Sequence, residues 1–286
     1  MKTISLTGKD RPQLFQELLR CLVANDLREW TLSIAIEPTP IAGEFVTIAR
    51  DTLGDVDYSI TVNERVLGIR RNPFEVIKRN FEQGSDLNLC LEEDLLLSPD
   101  ATELALWYQR NHRAYWLCMC LLAGPCGSAS LVSNPRHPDV LFEATTFNSI
   151  GFVIRRQEWT DLERGVWMGT TRPHQLWGGH ADWRFGWGWD WSVYGYLAAN
   201  PELRCVQPAF GRATHNGVTG THSHPEAFSK KFGQLPINHQ RSPDLHLVAV
   251  EDLPNELRSQ VYAHEELTAM RQELEDLEVR HRHGLP

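Results

Sequence analysis

The sequence lacks any long apolar run, and its 286 residues contain no stretch of about 18 uncharged apolar residues that could span a membrane. Its first ten positions already include a glycine and charged residues, so we expect no secretory signal peptide. Basic residues are also few, because 28 Lys and Arg face 37 Asp and Glu for a formal charge of −9. This balance argues against nucleic acid as a partner. We therefore expect a cytoplasmic protein without a membrane span.

Cysteine is scarce as well. The six cysteines are not spaced as a disulfide framework, which is typical of a reducing compartment. Cys118, Cys120 and Cys126 could suggest zinc, but the first two lie in an apolar run and are expected to be buried structural thiols. The 42% of hydrophobic residues suffice for a substantial core. A chain of this length and composition is expected to form one large globular α/β domain.

Strand and helix patterns alternate over the first third of the chain. Short apolar runs predict strands over residues 3–7, 31–36 and 58–62, and helices are predicted over residues 12–25, 45–53 and 73–81. The first helix has apolar residues at three- and four-residue spacing, which gives it one face to bury. Such alternation indicates right-handed βαβ units and a mainly parallel sheet. A helix over residues 101–111 and strands over 115–122, 140–146, 151–154 and 205–208 are predicted to follow.

Three consecutive acids end the fourth predicted strand. The apolar run that begins near Asn88 stops at Glu92, Glu93 and Asp94. In open α/β sheets the ligand lies beyond the carboxyl ends of the strands, and adjacent carboxylates repel one another unless a positive group joins them. A Mg²⁺ or Mn²⁺ ion held by one or two carboxylates and substrate phosphates is one interpretation. An acidic turn before a helix, with residues 98–100 supplying the cap, is the other.

The composition of the sequence changes after residue 123, where Gly, Ser, Asn and Pro become frequent. We predict a nucleotide-binding part at residues 1–123, a second part of the same domain at 124–240, and a helical extension at 241–286. The last part contains an amphipathic helix over residues 253–279 with a short coiled-coil-like seam. Three fates of this helix stay open: packing onto the domain, formation of a homo-oligomer, and a solvated tail.

Several of these motifs resemble one family in the same order. They are Gly8-Lys-Asp-Arg11, the acidic strand end with its Ser-Pro-Asp continuation, the Trp-Asp-Trp at 189–191, and the series Arg212, Gly217, Gly220 and Ser223. Over residues 1–230 the chain is similar to GT-A-fold glycosyltransferases, and nearest to the protein N-acetylglucosaminyltransferase I family. The resemblance implies a GT-A-like (Rossmann-like) sheet flanked by helices. It also implies inverting transfer of a sugar, GlcNAc in that family, from UDP to a hydroxyl acceptor.

The resemblance also implies roles for the residues of the donor site. Asp94 matches the acid that ligates Mn²⁺ or Mg²⁺, and Glu92 and Glu93 match the acids that hold the ribose and orient the donor sugar. Arg11 matches an arginine near the diphosphate, and Glu37 stands where the family has an acid close to the uracil. From their position before the acidic strand, Arg70 and Arg71 are either further phosphate contacts or solvated surface arginines.

The acceptor side is expected around the tryptophan-rich stretch. The resemblance aligns Asp190 with the family's general base, and its alternative role is a helix cap. A flat indole suits a sugar ring, so Trp187, Trp189 and Trp191 are acceptor-binding candidates, against the alternative that they fill the core. Asn148, between two predicted strands, is a further substrate-binding candidate.

Histidines cluster late in the chain at 215, 222 and 224, and His222 is favoured among them as a metal or phosphate contact, against the alternative of a polar loop. They also support a different enzyme, a zinc-dependent hydrolase built on His180, Asp182, His215, His222 and His224. A third hypothesis is a non-catalytic carbohydrate-binding module that keeps the fold and the tryptophans.

Overall fold

Nine strands form one continuous mixed sheet in the computed structural model, which describes residues 1–124, 131–168, 189–218, 225–232, 235–242, 244–259 and 261. The strand order is β11-β7-β9-β6-β8-β4-β1-β2-β3, and two further strands, β5 and β10, pair separately. The strands are β1 (Lys2–Gly8), β2 (Trp30–Ile36), β3 (Tyr58–Val62), β4 (Leu87–Glu92), β5 (Leu95–Leu97), β6 (Trp116–Cys120), β7 (Val140–Ala144), β8 (Phe152–Arg155), β9 (Arg204–Pro208), β10 (Ala213–His215) and β11 (His246–Leu247).

Helices cover this sheet. They are α1 (Pro12–Val23), α2 (Ala42–Leu53), α3 (Gly68–Glu82), α4 (Ala101–Asn111), α5 (Arg156–Asp161), α6 (Trp189–Ala199) and α7 (Pro225–Lys231), with a π-helical turn at Leu162–Val166 after α5 and a 3₁₀ turn at Val250–Asp252. Helix α1 buries Phe15, Leu18, Leu19 and Leu22, the face that its spacing predicts. The predicted fold class is confirmed: the chain is α/β, with a mainly parallel sheet flanked by helices.

The first half of the sheet is the parallel βαβ part. Strand β1 pairs in parallel with β2 and with β4, and β2 pairs in parallel with β3. The carboxyl ends of these four strands therefore meet at one edge of the sheet. Strand β8 then lies antiparallel between β4 and β6, and β7 is antiparallel to β9. A strand's apolar pattern does not encode its direction, so these reversals were not predictable from the sequence.

A small two-stranded sheet lies next to the acidic strand end. Strand β10 pairs antiparallel with β5, and His215 stands opposite Leu95. Glu93 and Asp94 form a turn, and residues 98–100 lead into helix α4, as the alternative interpretation expects, but they supply no side-chain capping bond. Asp100 occupies the N-cap position of α4 without a side-chain capping bond, and its carboxylate pairs with Arg212 at 3.0 Å instead.

Helix α3 begins five residues before its predicted start at Pro73. The buried carboxylate of Glu37, at the end of β2, accepts hydrogen bonds from the backbone N–H of Leu67 at 2.9 Å and of Gly68 at 2.7 Å. These bonds satisfy amide groups that a helix start leaves unpaired. A cap supplied by a residue so far away in the chain leaves no local signal, which explains why the sequence pattern predicts the helix only from Pro73.

The predicted C-terminal helix is described only at its start. Leu253, Leu257 and Val261 are buried against Phe142 and Ala209, so this end of the helix packs onto the domain. The rest of residues 253–279 lies outside the described residues, and the boundaries at 123 and 240 stay predictions. No helix in the described part of the chain has both the length and the apolar character of a membrane span.

Candidate active site

A cavity of about 480 Å³ opens at the carboxyl ends of β1, β2 and β4. This is the edge at which parallel sheets bind their ligands, and the volume lies within the range of small-molecule sites. The turn after β1 forms one wall, the start of α3 forms another, and acids of the β4 end form the floor. The lining residues used below are Arg11, Glu37, Glu92 and Glu93.

Asp94 is the buried centre of this acidic group. It is 2% exposed, and its Oδ2 atom accepts from Arg11 Nη1 at 2.6 Å and from His215 Nε2 at 2.9 Å. Its Oδ1 atom has no hydrogen-bond partner among the described residues. Burial alone would raise the pKa of Asp94, but the hydrogen bonds from His215 and Arg11 and the positive charge of Arg11 outweigh it and hold the pKa below its usual range. Asp94 is therefore an ionised carboxylate with one unused oxygen.

Glu93 fixes the turn that follows β1. Its Oε1 accepts from Arg11 Nε at 2.9 Å, and its Oε2 accepts from the backbone N–H of Lys9 at 2.6 Å. The guanidinium of Arg11 thus bridges two carboxylates, Glu93 and Asp94. Burial tends to lower the pKa of Arg11, yet these two acids raise it above its usual value. The turn and the acidic strand end are held together as one unit.

His215 orients the carboxylate of Asp94. Its Nδ1 accepts from the backbone N–H of Gly217 at 3.1 Å, which leaves Nε2 as the ring's donor to Asp94. The imidazole also stacks on Phe232 with ring centroids 5.3 Å apart. Because the ring is held on both sides, it fixes the orientation of the Asp94 carboxylate and leaves Oδ1 unused. Hydrogen-bonded partners orient metal-binding carboxylates in the same way.

The backbone of Gly217 passes directly over this cluster. A Cβ atom at this position would lie 2.7 Å from Arg11 Nη1 and 2.9 Å from Asp94 Oδ2, closer than real Cβ contacts. A side chain at residue 217 would therefore have to displace part of the Arg11–Asp94 pair. In contrast, Asn216 is anchored at the rim, where its backbone N–H donates to Asp94 O at 2.6 Å and its side chain donates to Glu17.

Glu92 is the acid with the most strongly shifted pKa at the site. Burial, together with the charges of Asp94 and Asp190, raises the pKa of Glu92 to about 8, against the opposing effect of Arg11. Four acids, Glu92, Glu93, Asp94 and Asp190, thus act on one region that contains fewer arginines. At neutral pH Glu92 is therefore mostly protonated, and a cation bound beside it would favour its ionised form.

Asp190 lies close enough to the acidic strand end for its charge to act there. It lies in the first turn of α6, and its charge acts on both Glu92 and the half-buried guanidinium of Arg70. Trp167 connects these elements. Its ring stacks on Trp189 at 4.0 Å and 9°, and its Nε1 donates to the backbone carbonyl of Arg70 at 2.9 Å. The starts of α3 and α6 are therefore held beside the acidic floor.

Three other predicted site residues have their side chains engaged in structural contacts. Glu37 lines the cavity, but both its oxygens accept from the start of α3. Arg71 is exposed and pairs with Glu75 at 2.9 Å, so Arg70 and not Arg71 faces Asp190. Asn148 is buried, donates to Gly124 O at 3.1 Å and accepts from Ile150 N at 2.9 Å, which closes a turn.

Of the tryptophan candidates, the structure places only the side chain of Trp189. It is 2% exposed and packs against Trp167, Phe147 and Phe152. This is the core-filling alternative, because a sugar ring cannot reach a side chain enclosed in this way. The remaining candidates lie outside the described residues: Trp187, the side chain of Trp191, His180, Asp182, His222 and His224.

The sequence does not reveal that His215 contacts Asp94 or that Gly217 must approach this pair closely. Its spacing places His215 with the other late histidines, among which His222 is favoured. Only the pairing of β10 with β5 brings His215 to Asp94, and that pairing joins distant parts of the chain. The run of glycines after His215 was the one usable signal, since glycine permits the close backbone approach that is observed.

The residues present fit a divalent cation at Asp94. The unused Oδ1 is a buried anionic oxygen, His215 and Arg11 orient its carboxylate, and Gly217 keeps the covering backbone free of a side chain. Mg²⁺ and Mn²⁺ take such oxygens, and sites of this kind use one or two carboxylates with substrate phosphates completing the shell. Arg11 lies where it could contact those phosphates.

No protein-family model and no curated protein matches the sequence. Solved structures with a similar arrangement include the mannosyltransferase PcManGT from Pyrobaculum calidifontis in complex with GDP-Man and Mn²⁺, at 11% identity and a TM-score of 0.43, covering 94% of this chain and 64% of that one. S. aureus TarS 1–349 is similar at 14% identity and a TM-score of 0.46, covering 73% and 58%. The same protein in complex with UDP-GlcNAc has a TM-score of 0.40 at 12% identity, covering 56% and 47%. The chain spans less than two thirds of the length of these proteins, and the likeness is too distant to transfer an activity or a residue role.

Proposed function

We propose that the chain is a metal-dependent inverting glycosyltransferase that moves a sugar, GlcNAc by the resemblance, from a UDP-sugar to a hydroxyl acceptor. The observation that carries the proposal is the unused Oδ1 of buried, ionised Asp94 beside Arg11 at the carboxyl end of β4. A buried anionic oxygen without a partner costs free energy in the unliganded protein. Such a cost is expected where a ligand completes the site.

The donor would occupy the cavity between the turn after β1 and the start of α3. Its diphosphate would lie near Arg11, whose planar guanidinium suits phosphate oxygens. A Mn²⁺ or Mg²⁺ ion held by Asp94 would neutralise the charge that develops on the leaving diphosphate. Glu92 faces the same cavity and, with its raised pKa, can offer a hydrogen bond to the ribose or the donor sugar.

On the acceptor side the attacking hydroxyl must lose its proton. Inversion calls for a base on the face of the sugar opposite the diphosphate. Asp190, in the first turn of α6, lies close enough to the acids of β4 for its charge to act on Glu92. Arg70, at the start of α3, is close enough for its charge and that of Asp190 to attract each other. Asp190 would thus be the general base, and Trp167 would hold its helix in place through Trp189.

Thermal unfolding with UDP, with and without Mn²⁺, tests the donor half of this proposal. A Tm rise with UDP that requires Mn²⁺ is expected for the wild type, because a ligand that binds only the folded state stabilises it. Asp94→Ala should lose this rise. Asp190→Ala should keep it and lose transfer, by about 100- to 10,000-fold for a general base. A metal-independent rise, or full transfer by both variants, would reject the assignments.

A panel of nucleotide sugars, scored by release of the nucleotide, tests the donor identity. UDP-GlcNAc and GDP-mannose belong in the panel with other UDP-sugars. Stabilisation by Zn²⁺ alone together with hydrolysis would support the hydrolase hypothesis. Sugar binding without a response to any nucleotide would support the carbohydrate-binding module.

A further inference from the structure

Three buried cysteines form a cluster that the proposed reaction does not use. Cys118 and Cys120 lie on β6, and Cys205 lies on the neighbouring strand β9. All three are at most 1% exposed, and their sulfur atoms lie within 4.8 Å of one another. The sequence suggested Cys126 as the third member, whereas the structure brings in Cys205.

The sheet geometry explains why the sulfurs converge. Residues 118 and 120 are two apart on one strand, so their side chains point to the same face. Cys205 stands directly opposite Cys118 in the β6–β9 ladder, next to a shift in register between Trp116 and Cys118. Such irregularities re-aim side chains. The Sγ atoms of Cys118 and Cys205 are 3.3 Å apart.

We propose that Cys118, Cys120 and Cys205 form a three-coordinate site for a soft monovalent cation, with Cu⁺ as the probe ion. Metal–sulfur bonds of about 2.3 Å place the three sulfurs of a trigonal site about 4 Å apart, which the cluster meets with shifts of less than an ångström. Thiolate sulfur selects soft ions such as Cu⁺.

Coordination number argues against Zn²⁺, which takes four ligands in structural sites. Among the His, Cys, Asp and Glu side chains of the described residues, these three cysteines form the group and no fourth member joins them. The amide of Gln207 is engaged elsewhere: its Oε1 accepts from Gly124 N at 3.0 Å and its Nε2 donates to Thr146 O at 2.7 Å. A count of three sulfurs fits Cu⁺.

The surroundings of the cluster are apolar. The three cysteines lie in a buried core with Phe147, Phe152 and Trp189. Coordination requires the thiolate form of cysteine, so Cu⁺ uptake by protonated thiols releases protons.

The test is an anaerobic titration of the full-length reduced chain with Cu⁺ in competition with a chromogenic Cu⁺ chelator. We expect one Cu⁺ per chain, near-ultraviolet absorption from thiolate-to-copper charge transfer, and a higher Tm. Cys120→Ala should weaken retention by at least about 100-fold, given that even outer partners of metal ligands contribute 10- to 100-fold. Cys21→Ser, on the partly exposed face of α1, is the matched control and should retain the ion.

A second measurement avoids variants that fold poorly. X-ray absorption at the copper edge of the loaded wild type should show a shell of three sulfurs. Four results would each overturn the proposal. They are nitrogen or oxygen ligands, equal retention by Cys120→Ala and the wild type, tighter retention of Zn²⁺ than of Cu⁺, and a Cys118–Cys205 disulfide that persists under reducing conditions. None of these results depends on glycosyl transfer, so the two proposals fail separately.

Discussion

Two arginine–carboxylate pairs flank the short strand β5, and they differ in how completely they are satisfied. Arg212 and Asp100 are both fully buried and 3.0 Å apart, and the other guanidinium nitrogens donate to Phe210 O, Pro138 O and Ser242 Oγ. Arg11 is 30% exposed, and its partner Asp94 keeps a buried oxygen without a donor among the described residues. We call the first, fully satisfied pair closed, and the second, which keeps an unused acceptor, open.

The pKa shifts of the two arginines report the same difference. Burial lowers the pKa of Arg212, and the single carboxylate of Asp100 does not compensate. Burial also acts to lower the pKa of Arg11, but Asp94 and Glu93 together raise it. Arg11 thus sits in surplus negative charge, whereas Arg212 sits in a balanced network. A balanced network of charges suits a structural role, and a surplus of carboxylates over arginines suits the binding of a cation.

Breaking the closed pair should have the largest effect. Arg212→Met leaves Asp100 buried and charged, which is expected to cost about 3–5 kcal/mol of unfolding free energy. Urea unfolding measures this cost. Arg241→Met is the control, because its pair with Glu103 at 2.9 Å is exposed and should contribute less than about 1 kcal/mol. The double variant Arg212→Met/Asp100→Leu should recover part of the loss, and equal losses in single and double variants would contradict the account.

Opening the second pair should affect binding rather than stability. Asp94→Asn removes one of three adjacent acids and leaves Arg11 its bond to Glu93, so the unfolding free energy should change by less than about 1 kcal/mol. Retention of Mn²⁺ together with UDP should fall by about 100-fold or more, since loss of outer partners alone costs 10- to 100-fold. Calorimetric titration and urea unfolding check the two halves. A stability loss as large as that of Arg212→Met would show that the pairs are alike.

Crowding the open pair should produce a smaller loss. In Gly217→Ala the added methyl group would press on Arg11 Nη1 and Asp94 Oδ2, and displaced groups in a site cost up to about 100-fold. Because the end of Arg11 can give way, we expect about tenfold weaker binding of Mn²⁺ with UDP in the same titration. Gly43→Ala is the matched control, since its Cβ would meet nothing within 4 Å. Equal affinities in both variants would mean that this close approach does not matter for the ligand.

The comparison also separates what the sequence predicted from what it did not. The acids at 92–94 and the βαβ order were readable because both are local patterns: an apolar run that ends in charge, and periods of two and 3.6 residues. The long-range partners of the acidic residues could not be predicted. His215 reaches Asp94, and Arg212 reaches Asp100, only through the β5–β10 pairing. Glu37, at the end of β2, caps the distant helix α3. Each is a contact between residues far apart in the chain.

The smallest predicted effect concerns the outer part of the closed network. Ser242 Oγ accepts from Arg212 Nη2 and from Asn238 Nδ2, both at 2.9 Å, and Ser242 N donates to Asp100 at 3.2 Å. Ser242→Ala removes the hydroxyl but keeps the backbone bond, so we expect a cost of about 1–2 kcal/mol in urea unfolding. Binding of Mn²⁺ with UDP should stay unchanged, because the closed pair holds β10 through Arg212 itself. If Ser242→Ala weakened that binding as much as Gly217→Ala does, the two pairs would form one coupled network. The distinction between a structural pair, Arg212–Asp100, and a ligand-binding pair, Arg11–Asp94, would then be wrong.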